Sequence, residues 1–186
     1  YYDMAKFYDS IANDLFVGWA LELDFEPRLL YLAMLLHTCP RTLRVHGCLS
    51  QGDVVSTGIL AGCGAANTFA RIVLHHLCEK VVYSIPVELR EYVDGLAQRS
   101  EGLPAAVVRH TVDACALITR LAGEARLELS VTKCGVVGSS VALARRACAP
   151  LRAAGCRIPA VHHIRDLGLD AAGGRKRRLA VSRQSW

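Results

Sequence analysis

No two of the eight cysteines in this 186-residue chain form a Cys-x-x-Cys pair. His75–His76 and His162–His163 are adjacent residues with no cysteine frame around them. A structural zinc site draws on close ligand pairs, so none is expected. Aromatics are scarce, at 6% of residues, and the core must be mostly aliphatic. Long apolar runs are missing too. The longest, Leu29 to Leu36, falls far short of the roughly 20 residues that cross a bilayer, so no membrane partner is expected. The start of the chain shows no secretory leader, because Asp3, Lys6 and Asp9 break any apolar stretch. The expected setting is intracellular, nuclear or cytoplasmic, and not secreted. The thiols there stay reduced, and Cys63, Cys78, Cys115 and Cys148 read as small buried hydrophobes.

Acids are absent from residues 173–186, which hold Arg175, Lys176, Arg177, Arg178 and Arg183. The whole chain has 22 Lys plus Arg against 17 Asp plus Glu, a net charge of +5. Without the tail, 17 basic residues face 17 acidic ones over positions 1–172. A neutral body with a cationic tail excludes a uniformly basic nucleic-acid coat. A hydrophobic content of 52% excludes an acidic disordered chain. The length suits one domain over 1–172, followed by the basic tail 173–186.

The opening reads as a short strand running into a helix patterned by Ile11, Leu15, Phe16, Trp19 and Ala20. A second helix starts at Asp24-Phe25-Glu26-Pro27, where Asp24 can cap and Pro27 suits a first turn. Its expected buried stripe is Leu29, Leu30, Leu32, Ala33 and Leu36, and Pro40 stops it. Residues 41–60 look extended, with a turn at Gln51-Gly52-Asp53. Gly62 and Gly64 open a helix with Phe69, Ile72, Val73, Leu74 and Leu77 on its apolar face. Leu89 to Ala97 reads as a hairpin turning at Asp94-Gly95. Leu103-Pro104 starts a long helix, and Leu127, Leu129 and Val131 alternate as a strand that Val136-Val137 accompanies. Ser140 to Ala154 is helical, ending at Gly155, and Ile158 to Leu169 is extended. Helices interleaved with strand pairs favour an α+β fold, a mostly antiparallel or mixed sheet with helices on one face.

Two carboxylates stand where a site would need them. Asp3 ends an apolar strand and Asp94 lies at a hairpin tip. Neighbouring strands would bring them together. Hard carboxylate oxygens suit Mg²⁺, and phosphoryl transfer asks chiefly for cations held against the reacting oxygens. Each acid has a plainer role as well, Asp94 as a turn former and Asp3 as a cap. Lys133 also reads as an edge charge, Tyr8 and Tyr92 as core aromatics with a wet hydroxyl, and Arg175 to Arg178 as a solvated tail.

The segments, taken in order, resemble the palm of retrotransposon-type reverse transcriptases, which are RNA-directed DNA polymerases. Tyr2-Asp3-Met4-Ala5-Lys6-Phe7-Tyr8-Asp9-Ser10-Ile11 is similar to the family's first catalytic motif. The resemblance makes Asp3 a metal ligand and Tyr8 the aromatic that walls the sugar pocket. Thr57 to Cys63 resembles the Gly-containing loop that contacts template and nucleotide, with Gly62 as its glycine. The usual Gln before it is Ala61, and the usual Ser-Pro further on is Ala66-Asn67. Tyr92-Val93-Asp94-Gly95 looks like the aromatic-x-Asp-Asp signature, with Asp94 as the first Asp and Gly95 replacing the second. Leu127 to Lys133 resembles the strand whose Lys lies near departing pyrophosphate, and Asp166-Leu167-Gly168-Leu169 the primer grip. The resemblance thus implies a palm-like fold and two Mg²⁺ ions, or Mn²⁺, on Asp3 and Asp94. It implies an RNA template, a DNA primer and deoxynucleotide triphosphates as partners. Arg175, Lys176, Arg177 and Arg178 would touch nucleic acid. The finger strands that precede the first motif, and the thumb, would come from elsewhere in a parent polyprotein, leaving this chain a poor polymerase or inactive alone.

Overall fold

The computed structural model describes residues 1–60, 62–166 and 169–172. It is an α+β fold of six helices and small antiparallel sheets among those residues. The elements in order are β1 (Tyr2–Asp3), α1 (Phe7–Ser10), α2 (Asn13–Glu22), α3 (Pro27–Thr38), β2 (Arg44–Val45), β3 (Cys48–Leu49) and α4 (Ala66–Ser84). Then come β4 (Glu88–Tyr92), β5 (Gly95–Arg99), α5 (Pro104–Glu124), α6 (Val141–Ala153), β6 (His163–Asp166) and β7 (Leu169–Ala172). The main sheet has the order β1-β5-β4, antiparallel throughout. β2 pairs with β3 and β6 with β7.

The core forms where helical periodicity meets a packed neighbour. Phe69, Ile72, Val73, Leu74 and Leu77 of α4 are all buried, as their spacing predicts. Phe69 meets Phe16 of α2 with ring centroids 4.8 Å apart, and Phe25 and His37 approach its edge. Helix α5 brings Ala114, Cys115, Ile118 and Leu121 to the same core. Helix α6 is bounded as its sequence says. The Ser140 hydroxyl accepts from the Leu143 amide, and Gly155 takes a left-handed φ of +82° just past its end.

Other expectations need correction. In α3 the cap is Glu26, whose carboxylate accepts from the Leu29 amide, while Asp24 sits in the left-handed turn closing α2 at φ +55°. Its buried residues are Leu30 and His37, flanked by Ala33 and Met34, whereas Leu29, Leu32 and Leu36 face outward, Leu32 at 61% exposure. The turn between β2 and β3 is His46-Gly47, both at positive φ, and not Gln51-Gly52-Asp53. That pair matches the mirror-image turns that close two-residue hairpins. Residues 127–132 form no regular strand. They meet β1 through one bridge, Met4 with Leu129, because Lys6 at φ +48° turns the chain away after Met4. Val136 likewise makes only an isolated bridge, to Ala160. Of the four cysteines expected to be buried, Cys115 is, and Cys63, Cys78 and Cys148 are half-buried; all eight are free thiols.

No helix among the described residues is long and apolar enough to cross a membrane.

Candidate active site

Asp3 lies directly opposite Gly95 across the β1–β5 pair, and the Met4 amide donates to the Asp94 carbonyl at 3.2 Å. The Ser130 amide donates to the Asp3 carbonyl at 2.7 Å, and the Ala5 amide to the Glu128 carbonyl at 2.7 Å. Residues around positions 3, 94 and 130 are thereby held at one place by backbone bonds alone. Asp94 is half-buried in the two-residue turn between β4 and β5. That turn is Val93-Asp94, one residue earlier than the Asp94-Gly95 turn the sequence predicts. Val93 adopts φ +53°, a strained conformation for a β-branched residue and of order 1–3 kcal/mol in cost. Tyr92, paired with Gly95, is exposed beside it.

The Asp3 carboxylate is almost fully buried, at 6% exposure. Lys133 Nζ lies 3.2 Å from its Oδ1 and 3.4 Å from its Oδ2. The Oδ1 contact is electrostatic only, since that oxygen accepts no well-aligned hydrogen bond. Removing a carboxylate from water costs several kcal/mol unless a cation compensates, and one largely exposed ammonium is a light partner for it. The carboxylate therefore keeps acceptor capacity for a further cation. Cys134 lies behind it, with the Asp3 amide donating to its Sγ at 3.4 Å. Burial pushes the Cys134 thiol up, so it stays protonated and adds no negative charge.

Tyr8 stands on α1. Its hydroxyl donates to Asn67 Oδ1 at 2.9 Å. Burial, and secondarily the negative charge of Asp94, push its phenol up. The acid at the turn and the ring on α1 are thus within electrostatic reach. The segment before Gly62 docks beneath Tyr8, with the Ile59 amide donating to the Tyr8 carbonyl at 2.8 Å and the Gly58 amide to the Ile11 carbonyl at 2.7 Å. Gly58 permits this approach, since a Cβ there would lie 3.3 Å from the Asp9 backbone at a φ of +94°. Gly62 also has positive φ, +86°, but a Cβ there meets nothing within 4 Å. Its glycine answers to backbone conformation, not to crowding. The next pin is His37, fully buried on α3, whose Nδ1 accepts from the Leu60 amide at 3.0 Å.

Gly95 is also crowded. A Cβ there would come within 2.6 Å of the Tyr1 hydroxyl and 3.3 Å of its ring. A second acid at this position would displace that phenol.

Among the sequence-predicted residues, Asp3 and Lys133 meet side chain to side chain, the Asp94 backbone lies beside β1, and Tyr8 feels the charge of Asp94, with Tyr92 on the adjoining strand end. Leu167, Gly168, Arg175, Lys176, Arg177 and Arg178 lie outside the described residues. Sequence reasoning missed Asn67, Gly58 and His37. Asn67 had one visible sign, since it stands where the resembling motif has another residue. His37 had none, being one of seven histidines.

Among the described residues, no three His, Cys, Asp or Glu are grouped to hold a metal. Asp3 and Asp94 are the two acids that the resemblance implies as metal ligands. Mg²⁺ is commonly held by one or two carboxylates, with water and substrate phosphate completing its shell. Oδ1 of Asp3 is shut off from solvent and accepts no hydrogen bond, and the Lys133 ammonium beside it balances the charge. Comparison with family models, curated proteins and solved structures finds no match to this chain.

Proposed function

We propose that this chain is the palm portion of an RNA-directed DNA polymerase of retrotransposon type. In that reading it directs nucleotidyl transfer onto a primer 3′-hydroxyl. The supporting observation is the pairing of Asp3 with Gly95 and of the Met4 amide with the Asp94 carbonyl, which sets two acids far apart in sequence at one sheet edge.

Asp3 and Asp94 would hold Mg²⁺ or Mn²⁺, which when bound polarises the phosphate and lowers the pKa of the attacking hydroxyl. Tyr8, fixed by Asn67, walls the sugar side of the site. Gly62 lets the backbone turn towards template and nucleotide. Lys133 exchanges its contact with Asp3 for one with the leaving pyrophosphate. RNA template, DNA primer and deoxynucleotide triphosphates are the partners, and the grip on them comes largely from the fingers and thumb of the parent polyprotein. The primer-grip and tail assignments, Leu167, Gly168 and Arg175 to Arg178, belong to this reading.

Gly95 supports a second reading, a lapsed retroelement remnant that binds nucleic acid without turnover. The Tyr1 hydroxyl fills the space a second acid would take, so the carboxylate count is low for tight cation binding. Primer extension on an RNA template with Mg²⁺ or Mn²⁺ separates the two, run on the chain joined to finger and thumb segments. Extension lost in Asp3→Asn and Asp94→Asn sustains the polymerase. No extension, with nucleic-acid binding intact, sustains the remnant. Mn²⁺ binding to the chain, followed by electron paramagnetic resonance, adds a readout without turnover. Unchanged affinity in both Asn variants would remove the metal assignment.

A further inference from the structure

The neutrality of residues 1–172 conceals a division. From Leu129 to Arg165 there is no Asp or Glu, while Lys133, Arg145, Arg146, Arg152, Arg157 and Arg165 fall in that stretch. Residues 1–128 hold 15 acids and 11 Lys or Arg. The cationic stretch is built on α6 and the loop that follows it. Arg145, Arg146, Arg152 and Arg157 are all exposed, and none has an ion-pair partner among the described residues. Arg145 and Arg152 are seven residues apart and share one face of α6, about 10 Å apart along its axis. The acids on α5, against which α6 packs, include Glu124, which is taken by Arg120 at 3.0 Å, and Asp113.

This surface is continuous with the candidate site. Arg152 and Arg157 flank a shallow groove of about 470 Å³ whose floor includes Val131, Ile158 and Pro159. Pro159 also lines the neighbouring groove of about 310 Å³ that contains Asp3 and Lys133. The path from Lys133 past Pro159 to Arg152 and Arg157 therefore runs along one surface.

We propose that the arginine face of α6 and its following loop is a binding surface for a nucleic-acid backbone, distinct from the basic tail. Unpaired guanidiniums fork onto phosphate oxygens and carry no obligation to a protein acid. Their spread along the helix suits a polyanion with a repeating charge, not one phosphate group. The net negative remainder of the body repels the same polymer and orients it onto this face. Because Pro159 borders both grooves, a strand bound here passes Lys133 and Asp3. The surface does not depend on turnover at those acids, so it holds for an active polymerase and for a lapsed remnant alike.

The test is anisotropy of a fluorescein-labelled RNA–DNA hybrid titrated with the 186-residue chain in EDTA, without nucleotide, so that turnover plays no part. Arg175, Lys176, Arg177, Arg178 and Arg183 are first replaced by Ala to neutralise the tail. On that background, the further change of Arg145, Arg146, Arg152 and Arg157 to Ala should weaken binding at least tenfold. It should also lower the salt slope by about three to four, from 0.9 per phosphate contact. The same four positions changed to Lys should retain most of the affinity, which separates charge loss from misfolding. Equal affinity and slope in the Ala variant would overturn the inference, as would no hybrid binding by the tail-neutralised parent. Tighter binding to phosphatidylserine vesicles than to the hybrid would overturn it too, by assigning the face to a lipid surface.

Discussion

The edge bearing Asp3 and the helix α3 are both rich in apolar residues, yet they are organised by opposite means. Around Asp3, backbone bonds join residues from three distant parts of the chain, and even a carboxylate is almost fully buried there. Around α3, a run of leucines stays largely outside, held by little more than Leu30 and His37. Burial in this molecule follows the presence of a neighbouring element, not hydrophobicity alone. Hydrophobic residues left outside are not unusual, but five large ones on one helix, Leu29, Tyr31, Leu32, Leu35 and Leu36, make a continuous apolar face.

The sharpest way to break that contrast is paired truncation. Phe69→Ala, in the aromatic cluster between α2 and α4, should cost about 3–5 kcal/mol in urea unfolding. Leu32→Ala on the outer face of α3 should change stability by less than about 0.5 kcal/mol. Similar costs for both would mean α3 is covered in solution. A pH series sharpens the comparison at His37, which ties α3 to the segment docked beneath Tyr8. Burial, and then the Arg41 guanidinium, hold His37 below its ordinary pKa, so the fold favours the neutral ring that accepts from Leu60. The unfolded chain binds this proton more readily. Stability contributed here is present above the unfolded histidine pKa of about 6.5 and is lost as pH falls through the lower folded value. Melting temperatures between pH 7.5 and 5 should fall in the native chain and fall less in His37→Asn. Glu26→Ala removes the cap of α3 and should cost about 1 kcal/mol by chemical denaturation. The smallest loss of a hydrogen bond belongs to the candidate site. Tyr8→Phe deletes the exposed bond to Asn67 and should cost about 0.5 kcal/mol, measured the same way.

The same contrast explains which parts of the fold were legible. Helices α4 and α6 were, because α4 packs on two other helices and α6 carries a serine cap and a terminal glycine. The faces of α3 were not, because eight consecutive apolar residues erase the 3.6-residue period that would single out one side. The β2–β3 turn was misplaced because two Gly-containing turns compete within six residues, and the register was settled by His46 accepting a left-handed φ. At the candidate site, the contact of Asp3 with Lys133 joins two residues the sequence singled out through the resemblance. The supports of the site were not legible. Asn67 and His37 act through single hydrogen bonds to residues 59 and 23 positions away, which no local pattern encodes.

The Tyr1 ring over Gly95 makes the two positions interdependent. An acid introduced at 95 meets the phenol, the far end of a half-exposed side chain, and enters only as that ring swings aside. The cost of regaining a second acid at this turn is therefore set by how firmly the first residue of the sequence holds its ring in place.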